Sequence, residues 1–280
     1  MEYLKYEEIP KIRKKLKDIG VTTESQNRLP IFEPTLKAKN GIRVFENRYG
    51  KLTVKGRLGQ VHKNLLETIF YERELYDFFE DGDNKYLKVL YHEYKVKKYL
   101  TTGSTTYCHR EYKQLIEDMK QAYVELETNK VKVKGPLILE KTASKITKKT
   151  KGNLPNLRGK EIPLAVITFG PVITTLFEKE LRFTYDPKPI LSLSSGISQA
   201  VVRFLKTHKN HPSAGYHLKP LVENLVENVE GEKWHDIRRF LKKDLETLKS
   251  IGIFIDFKRD RLFVANDNSL GYIQKTNYAL

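Results

Sequence analysis

The sequence predicts an α+β protein built as two tandem winged helix-turn-helix domains. Three observations predict this. An order of helix, short helix, turn, long helix and strands occurs twice along the 280 residues. Each long helix carries an amphipathic stripe. The stretch Asp186-Pro187-Lys188-Pro189 breaks the chain between the two runs. On this reading residues 1–50 are an N-terminal extension and 51–187 the first winged-helix domain. Residues 188–265 are the second domain, and 266–280 a C-terminal tail.

The elements follow in order. Residues 1–20 read as a short charged helix, with Ile9, Ile12, Leu16 and Ile19 on one side and Gly20 closing it. Residues 21–48 read as irregular, with Pro30, Pro34 and the turn signal Asn40-Gly41. A basic approach, Lys51–Arg57, precedes a helix whose stripe is Val61, Leu65, Leu66, Ile69 and Phe70. Tyr86–His92 reads as a strand or the entry to a helix, Tyr94–Leu100 as a short helix and Thr101–Thr106 as a turn. A long helix over Tyr107–Leu126 presents Tyr112, Leu115, Met119, Ala122, Tyr123 and Leu126. Val131-Lys132-Val133-Lys134 alternates as a strand should. Lys141–Lys160 reads as a polar, basic loop between strands. Ile162–Phe169, Val172–Phe177 and Leu181–Tyr185 read as strands.

The second run repeats the order. Ile197, Ala200, Val201, Phe204 and Leu205 mark a helix, Asn210–Gly215 a loop and Leu218–Val226 a short helix. Asn228–Lys233 is a turn. Trp234–Ser250 is a long helix with Ile237, Leu241, Leu245 and Leu248 inward. Gly252 is placed to cap it. Ile253–Phe257 and Arg261–Val264 follow as two strands.

Charge narrows the function classes. Lys and Arg number 51 against 35 Asp and Glu, a net charge of +16. Such an excess calls for a polyanion, and double-stranded DNA is the first candidate because neutralising phosphates releases counterions. A membrane surface or an acidic protein is the alternative. One cysteine, Cys108, allows no disulfide within the chain. Met1–Lys17 lacks the apolar run of a signal peptide, and no segment approaches the ~20 apolar residues of a membrane helix. A cytoplasmic protein without a membrane partner is expected. His208, His211 and His217 lack the helical spacing of a zinc motif, and no phosphate-binding glycine loop or nucleophile elbow occurs. No enzyme activity, metal or cofactor is expected.

The candidate DNA-binding residues fall into four groups. Lys233, His235, Arg238, Arg239, Lys242 and Lys243 lie on the open side of the second long helix. From Glu232 to Ser250 six basic residues face four acidic ones. An arginine on such a helix can pair bidentately with guanine. The first long helix, from Tyr107 to Glu127, carries three basic residues against five acidic. Only Arg110 and Lys113 at its start suit phosphate. Lys145, Lys148, Lys149 and Lys151, with Lys141, Arg158 and Lys160, form the densest basic stretch, where a wing would lie. Lys258, Arg259 and Arg261 form a shorter second wing. For each group the plain alternative is a solvated charged face. Tyr86, Leu87, Val89, Leu90 and Tyr91 are candidates for an edge strand or apolar patch that meets another protein.

Together these residues resemble the iteron-binding plasmid replication initiator family. The carrying stretches are Gly56-Arg57-Leu58-Gly59-Gln60-Val61-His62 leading into Asn64–Phe70, then Tyr94–Leu100 and Val124-Glu125-Leu126. In the second half they are Ile197–His208, Leu241-Lys242-Lys243-Asp244-Leu245 and Leu248-Lys249-Ser250-Ile251-Gly252-Ile253. The resemblance covers residues 50–265 and rests on pattern and element order. It implies a first domain that dimerises and touches DNA secondarily. It implies a second domain that binds direct repeats at an origin. It further implies recruitment of host replication proteins such as the replicative helicase. A winged-helix transcriptional regulator is the other reading of the same features. The long basic segment Lys141–Lys160 and the region before Gly50 depart from the family pattern.

Overall fold

The computed structural model describes residues 20–82, 84–100, 109–149 and 161–265. The expected helix over 1–20, the turn at 101–106 and the C-terminal tail lie outside them, apart from Gly20. That glycine opens strand β1 (Gly20–Thr23), which pairs antiparallel with β10 (Arg182–Tyr185). The stretch read as irregular is ordered. It holds α1 (Glu24–Arg28) and β2 (Gly41–Asn47), the latter paired with β3 (Gly50–Gly56) across a two-residue turn. Its Pro and Gly residues punctuate short elements rather than exclude them.

Helix α2 (Gln60–Tyr71) begins at Gly59, where a β-carbon would sit 2.7 Å from the Thr35 carbonyl. Glycine is therefore required for that close approach. The Gly59 N–H donates to His62 Nδ1 at 3.0 Å, and His62 Nε2 lies 3.1 Å from Asp118 Oδ2. A buried histidine thus joins the start of α2 to the third helix of the same domain. The chain continues through β4 (Arg73–Asp81), β5 (Asn84–Tyr91), α3 (Glu93–Leu100) and α4 (His109–Gln121). It then forms β6 (Tyr123–Glu127), β7 (Lys132–Pro136), β8 (Ile138–Lys149) and β9 (Glu161–Phe169).

Several expectations are corrected here. The long helix ends at Gln121, because Tyr123–Glu127 pairs on both sides as a strand of the sheet β2-β3-β6-β7. The hairpin that directly follows α4 is β6–β7, closed at Thr128–Val131. The basic stretch lies elsewhere. Up to Lys149 it is the long strand β8, the edge of a second sheet ordered β4-β5-β9-β8. Strand β5 is internal to that sheet, and Leu87, Val89 and Tyr91 are fully buried. They belong to the core and cannot form a docking patch. The half-buried apolar residues of that hairpin are Leu75, Phe79, Tyr86 and Leu90, which face each other across β4 and β5 on the opposite face. Val172–Phe177 is helical, within α5 (Pro171–Lys179). Proline suits the first turn of a helix, and Val172, Ile173, Leu176 and Phe177 form a helical stripe that is completely buried.

After β10 come α6 (Lys188–Leu191), α7 (Gly196–Leu205), β11 (Tyr216–His217) and α8 (Leu218–Glu223). They are followed by α9 (Gly231–Lys243), α10 (Leu245–Ser250), β12 (Ile253–Asp256) and β13 (Arg261–Val264). The sheet order is β11-β13-β12, so the β12–β13 hairpin is the wing behind the helix-turn-helix α8–α9. The expected single helix over Trp234–Ser250 is interrupted at Asp244, and Leu245 is only half-buried. Asp244 accepts hydrogen bonds from Ser194 N and Oγ at 2.8 Å and from Ser195 N at 3.1 Å. It fastens the end of α9 to the start of α7.

Both halves are therefore winged helix-turn-helix folds of an α+β chain. Buried apolar residues form two clusters, one drawn from Val21–Phe177 and one from Tyr185–Leu262, and Tyr49 packs against both. Helices α2 and α7, one from each half, pack against each other.

Candidate nucleic-acid interface

Helix α9 is positioned from beneath by Ile237 and Leu241, buried against α7. Full burial of such side chains stabilises the fold by about 1.5–3 kcal/mol each. The helical period then sets Glu232, His235, Arg239, Lys242 and Lys243 outward, and all five are exposed. Arg239 is paired with Asp236 at 2.8 Å and lies 5.3 Å over the Phe240 ring. The pair is open to solvent, so it presents a guanidinium without locking it.

Arg238 has a different task. It is half-buried, donates to the Phe257 carbonyl at 2.6 Å and sits over the Trp234 and Phe257 rings. Lys242 lies 5.3 Å over Phe257. These contacts hold the wing against the helix. Lys233 donates to the Glu227 carbonyl in the turn before α9. Its side of the helix, with Asp236 and Phe240, faces β2 of the first half across a cleft of about 810 Å³.

The wing turn is built by Asp256, whose Oδ1 accepts from the N–H groups of Lys258 at 2.9 Å and Arg259 at 3.1 Å. These bonds, the Arg259 one foremost, hold the Asp256 carboxyl below its ordinary range. The side chains of Lys258 and Arg259 point into solvent. Arg261 instead donates to the Gly215 carbonyl at 3.3 Å, bracing β13 against the loop before β11. Thus α9 and the wing tip bring His235, Arg239, Lys242, Lys258 and Arg259 to one open surface, with the exposed Lys243 at its border on the cleft. Arg238 and Arg261 support it from within.

The first half differs. Arg110 and Lys113 are exposed at the start of α4, as is Lys145 on β8. Lys148 and Lys149 lie on β8, and Lys151 lies outside the described residues. Sequence reasoning missed Lys97 and did not see its company. Glu93 takes Lys97 and Lys141 at 2.6 Å each, and Lys97 Nζ lies 2.9 Å from His109 Nδ1. Burial raises the Glu93 carboxyl, but the bonds from Lys141 and Lys97 outweigh it and hold the group below its ordinary range. The Lys97 charge, ahead of Lys113 and Lys141, lowers His109. A local positive field therefore surrounds the start of α4, drawn from three elements. No spacing in the sequence marks it, since these lysines meet only through tertiary packing.

Among the described residues no group of three or more His, Cys, Asp or Glu is arranged to hold a metal ion. No described helix is long and apolar enough to cross a membrane.

No protein-family model matches the chain, and no curated protein matches it in sequence. Among solved structures the fold is similar to domains 2 and 3 of RctB. Two crystal structures of those domains, one of selenomethionine derivatives, share 11% and 12% identity with this chain. They cover 80% of it and 84% of their own chains, with TM-scores of 0.44 and 0.42. A likeness this distant assigns neither function nor residue roles.

Proposed function

We propose that this protein is a sequence-specific DNA-binding replication initiator of a plasmid or mobile element. It binds direct repeats at an origin, chiefly through its second winged helix, and recruits host replication proteins such as the replicative helicase. The observation that carries the reading is the open basic surface of α9 and its wing, set on a complete winged-helix frame in a chain of net charge +16. The family resemblance of residues 50–265 extends it from DNA binding to initiation. Work in the cytoplasm, without enzyme activity or cofactor, belongs to the same reading. So does a homodimer, with Leu75, Phe79, Tyr86 and Leu90 as its apolar surface.

Footprinting on DNA flanking the gene tests it. The expected result is protection of directly repeated segments, and a circle carrying gene and repeats that replicates only with the intact protein. Maintenance of that circle without the protein, together with derepression of a nearby promoter, would make the chain a transcriptional regulator instead. Affinity should fall steeply with salt, with log K changing by about −0.9 per phosphate contact for each unit of log salt. A flat dependence would remove the electrostatic argument.

A further inference from the structure

The polar stripe of α2 meets one side chain of the other half. Gln60, Asn64 and Glu67 lie on one face of that helix. Arg203 of α7 donates to all three. Its Nη1 reaches Gln60 Oε1 at 2.5 Å and its Nη2 reaches Asn64 Oδ1 at 2.7 Å. Nε and Nη2 take the Glu67 carboxylate at 2.7–3.1 Å. Arg203 is 2% exposed and Glu67 1%. The Tyr185 hydroxyl donates to Glu67 at 2.5 Å, and Lys63 Nζ, 3.7 Å from the same carboxylate, donates to Thr22 and Gln26.

A guanidinium is a planar fork with fixed donor directions. Sliding α7 along α2 by one turn, about 5.4 Å, would break every one of its bonds and leave charges buried without partners. Other ties lie away from this point. Asn47 Nδ2 donates to the Arg28 carbonyl at 3.1 Å and the Asn224 carbonyl at 3.0 Å. Arg28 donates through Nε and Nη2 to Thr207, both at 3.0 Å, and Tyr49 meets Phe204 edge-on at 6.0 Å. The halves are joined at several points rather than about one pivot.

We propose that Arg203 is a positioning residue that fixes the two winged helices as one rigid DNA-reading body, so that the target is a contiguous site whose two contact regions keep a single spacing. This rests on the DNA-binding reading above and extends it to the geometry of the target. A duplex turns once in about 10.5 base pairs, or ~34 Å. Inserting five base pairs moves the second contact to the opposite face. Inserting ten restores the face but displaces the contact by a full turn. A flexible tether tolerates the second change, and a rigid body tolerates neither.

The test uses the full chain. Footprinting first locates the two contact regions. Affinity is then measured for the parent duplex and for duplexes with five or ten base pairs inserted between them. Wild type, Arg203→Lys and Glu67→Gln are compared. In parallel, spin labels on cysteines placed at the exposed positions Gln121 and Lys249, in a Cys108→Ser background, report the distance between the halves without DNA. The expected result is one narrow distance in the wild type and loss of roughly tenfold or more in affinity on both insertions. The two variants should show broadened distances and a smaller penalty for insertion. Wild-type binding that survives the ten-base-pair insertion, a broad wild-type distance, or variants that match the wild type in both readouts would overturn the proposal. Should a variant fail to fold, the wild-type insertion series decides alone. Failure to bind any duplex, with a narrow distance, would instead overturn the DNA-binding reading.

Discussion

The two winged helices share an element order and differ in what their surfaces are engaged with. In the second, α9 shows an open basic face and the wing tip holds Lys258 and Arg259 free of the core. In the first, helix α4 balances three acidic residues against three basic ones, and the hairpin behind it is occupied. Its turn residue Lys130 pairs with Glu24 of α1 at 2.7 Å. Helix α2 of the first half is also enclosed. Polar residues of α2 that would face water in an isolated domain meet Arg203. On the function proposed above, one fold serves as a reader in one copy and largely as a base in the other. The difference is made by charge placement and by what the N-terminal segment covers.

The comparison can be broken at the joint first. Arg203→Ala should destabilise the whole chain by about 3–5 kcal/mol, because it strands the Glu67 carboxylate in a buried site. Chemical denaturation measures this. A cost below about 1 kcal/mol would mean that the halves do not depend on the contact.

How far the sequence showed this division depends on the kind of interaction. The stripes of α2, α4, α7 and α9 were legible because burial repeats with the helical period, and the twofold element order followed from them. The basic second long helix was legible as composition; the acidic first one was not, because Glu125 and Glu127 lie on β6 and α4 itself carries three acidic and three basic residues. The joint was not. Gln60, Lys63, Asn64 and Glu67 fall outside the apolar stripe read for α2, and their partners Arg203 and Thr22 are 136 and 41 residues away along the chain from the groups they contact. Val172–Phe177 was misread because a short apolar run satisfies both periods, and Pro171 decides for the helix. Leu87 and Val89 were misplaced because alternation reveals which residues share a face, not which face is inside. Among the site residues, Arg238 and Arg261 look like Arg239 and Arg259 in sequence. Only the backbone carbonyls of Phe257 and Gly215 distinguish them.

The joint also predicts a dependence on pH. Burial, opposed by Glu67, brings the Lys63 ammonium down to about 7. Between that value and its ordinary range the unfolded chain binds more protons than the folded one. Stability should therefore rise with pH above about 7, by at most about 1.4 kcal/mol per pH unit from this group. Lys206, brought down to about 8 chiefly by burial, adds in the same direction. Denaturation between pH 7 and 9 should show the rise, and Lys63→Met should reduce its slope. An unchanged slope in that variant would assign the effect elsewhere.

At the reading surface, Arg239→Ala should weaken specific binding by about 1–3 kcal/mol and relax preference at one base pair. Arg110→Ala should cost less, since α4 offers phosphate only its first turn. Competition binding against scrambled DNA checks both. The reverse order would make the first half the main reader. Arg238→Ala should instead lower stability, since its bond to Phe257 holds the wing.

The smallest effects separate the two wing tips. Lys258 has only its backbone N–H engaged by Asp256, so its side chain can meet phosphate at little cost to the fold. Lys258→Ala should leave stability within about 0.5 kcal/mol of wild type and reduce the magnitude of the salt slope by about 0.9. Lys130 sits in an ion pair that is 44% exposed on its own side and 16% on that of Glu24. Such a pair contributes roughly 0.2–1 kcal/mol. Lys130→Ala should accordingly lower stability by that amount and leave the salt slope unchanged, because the charge already faces a carboxylate. Measuring denaturation and salt-dependent affinity on both variants gives two pairs of numbers with opposite patterns. If Lys130→Ala changed the salt slope as much as Lys258→Ala does, the first wing would also contact DNA. The distinction between reader and base would then rest on the recognition helices alone.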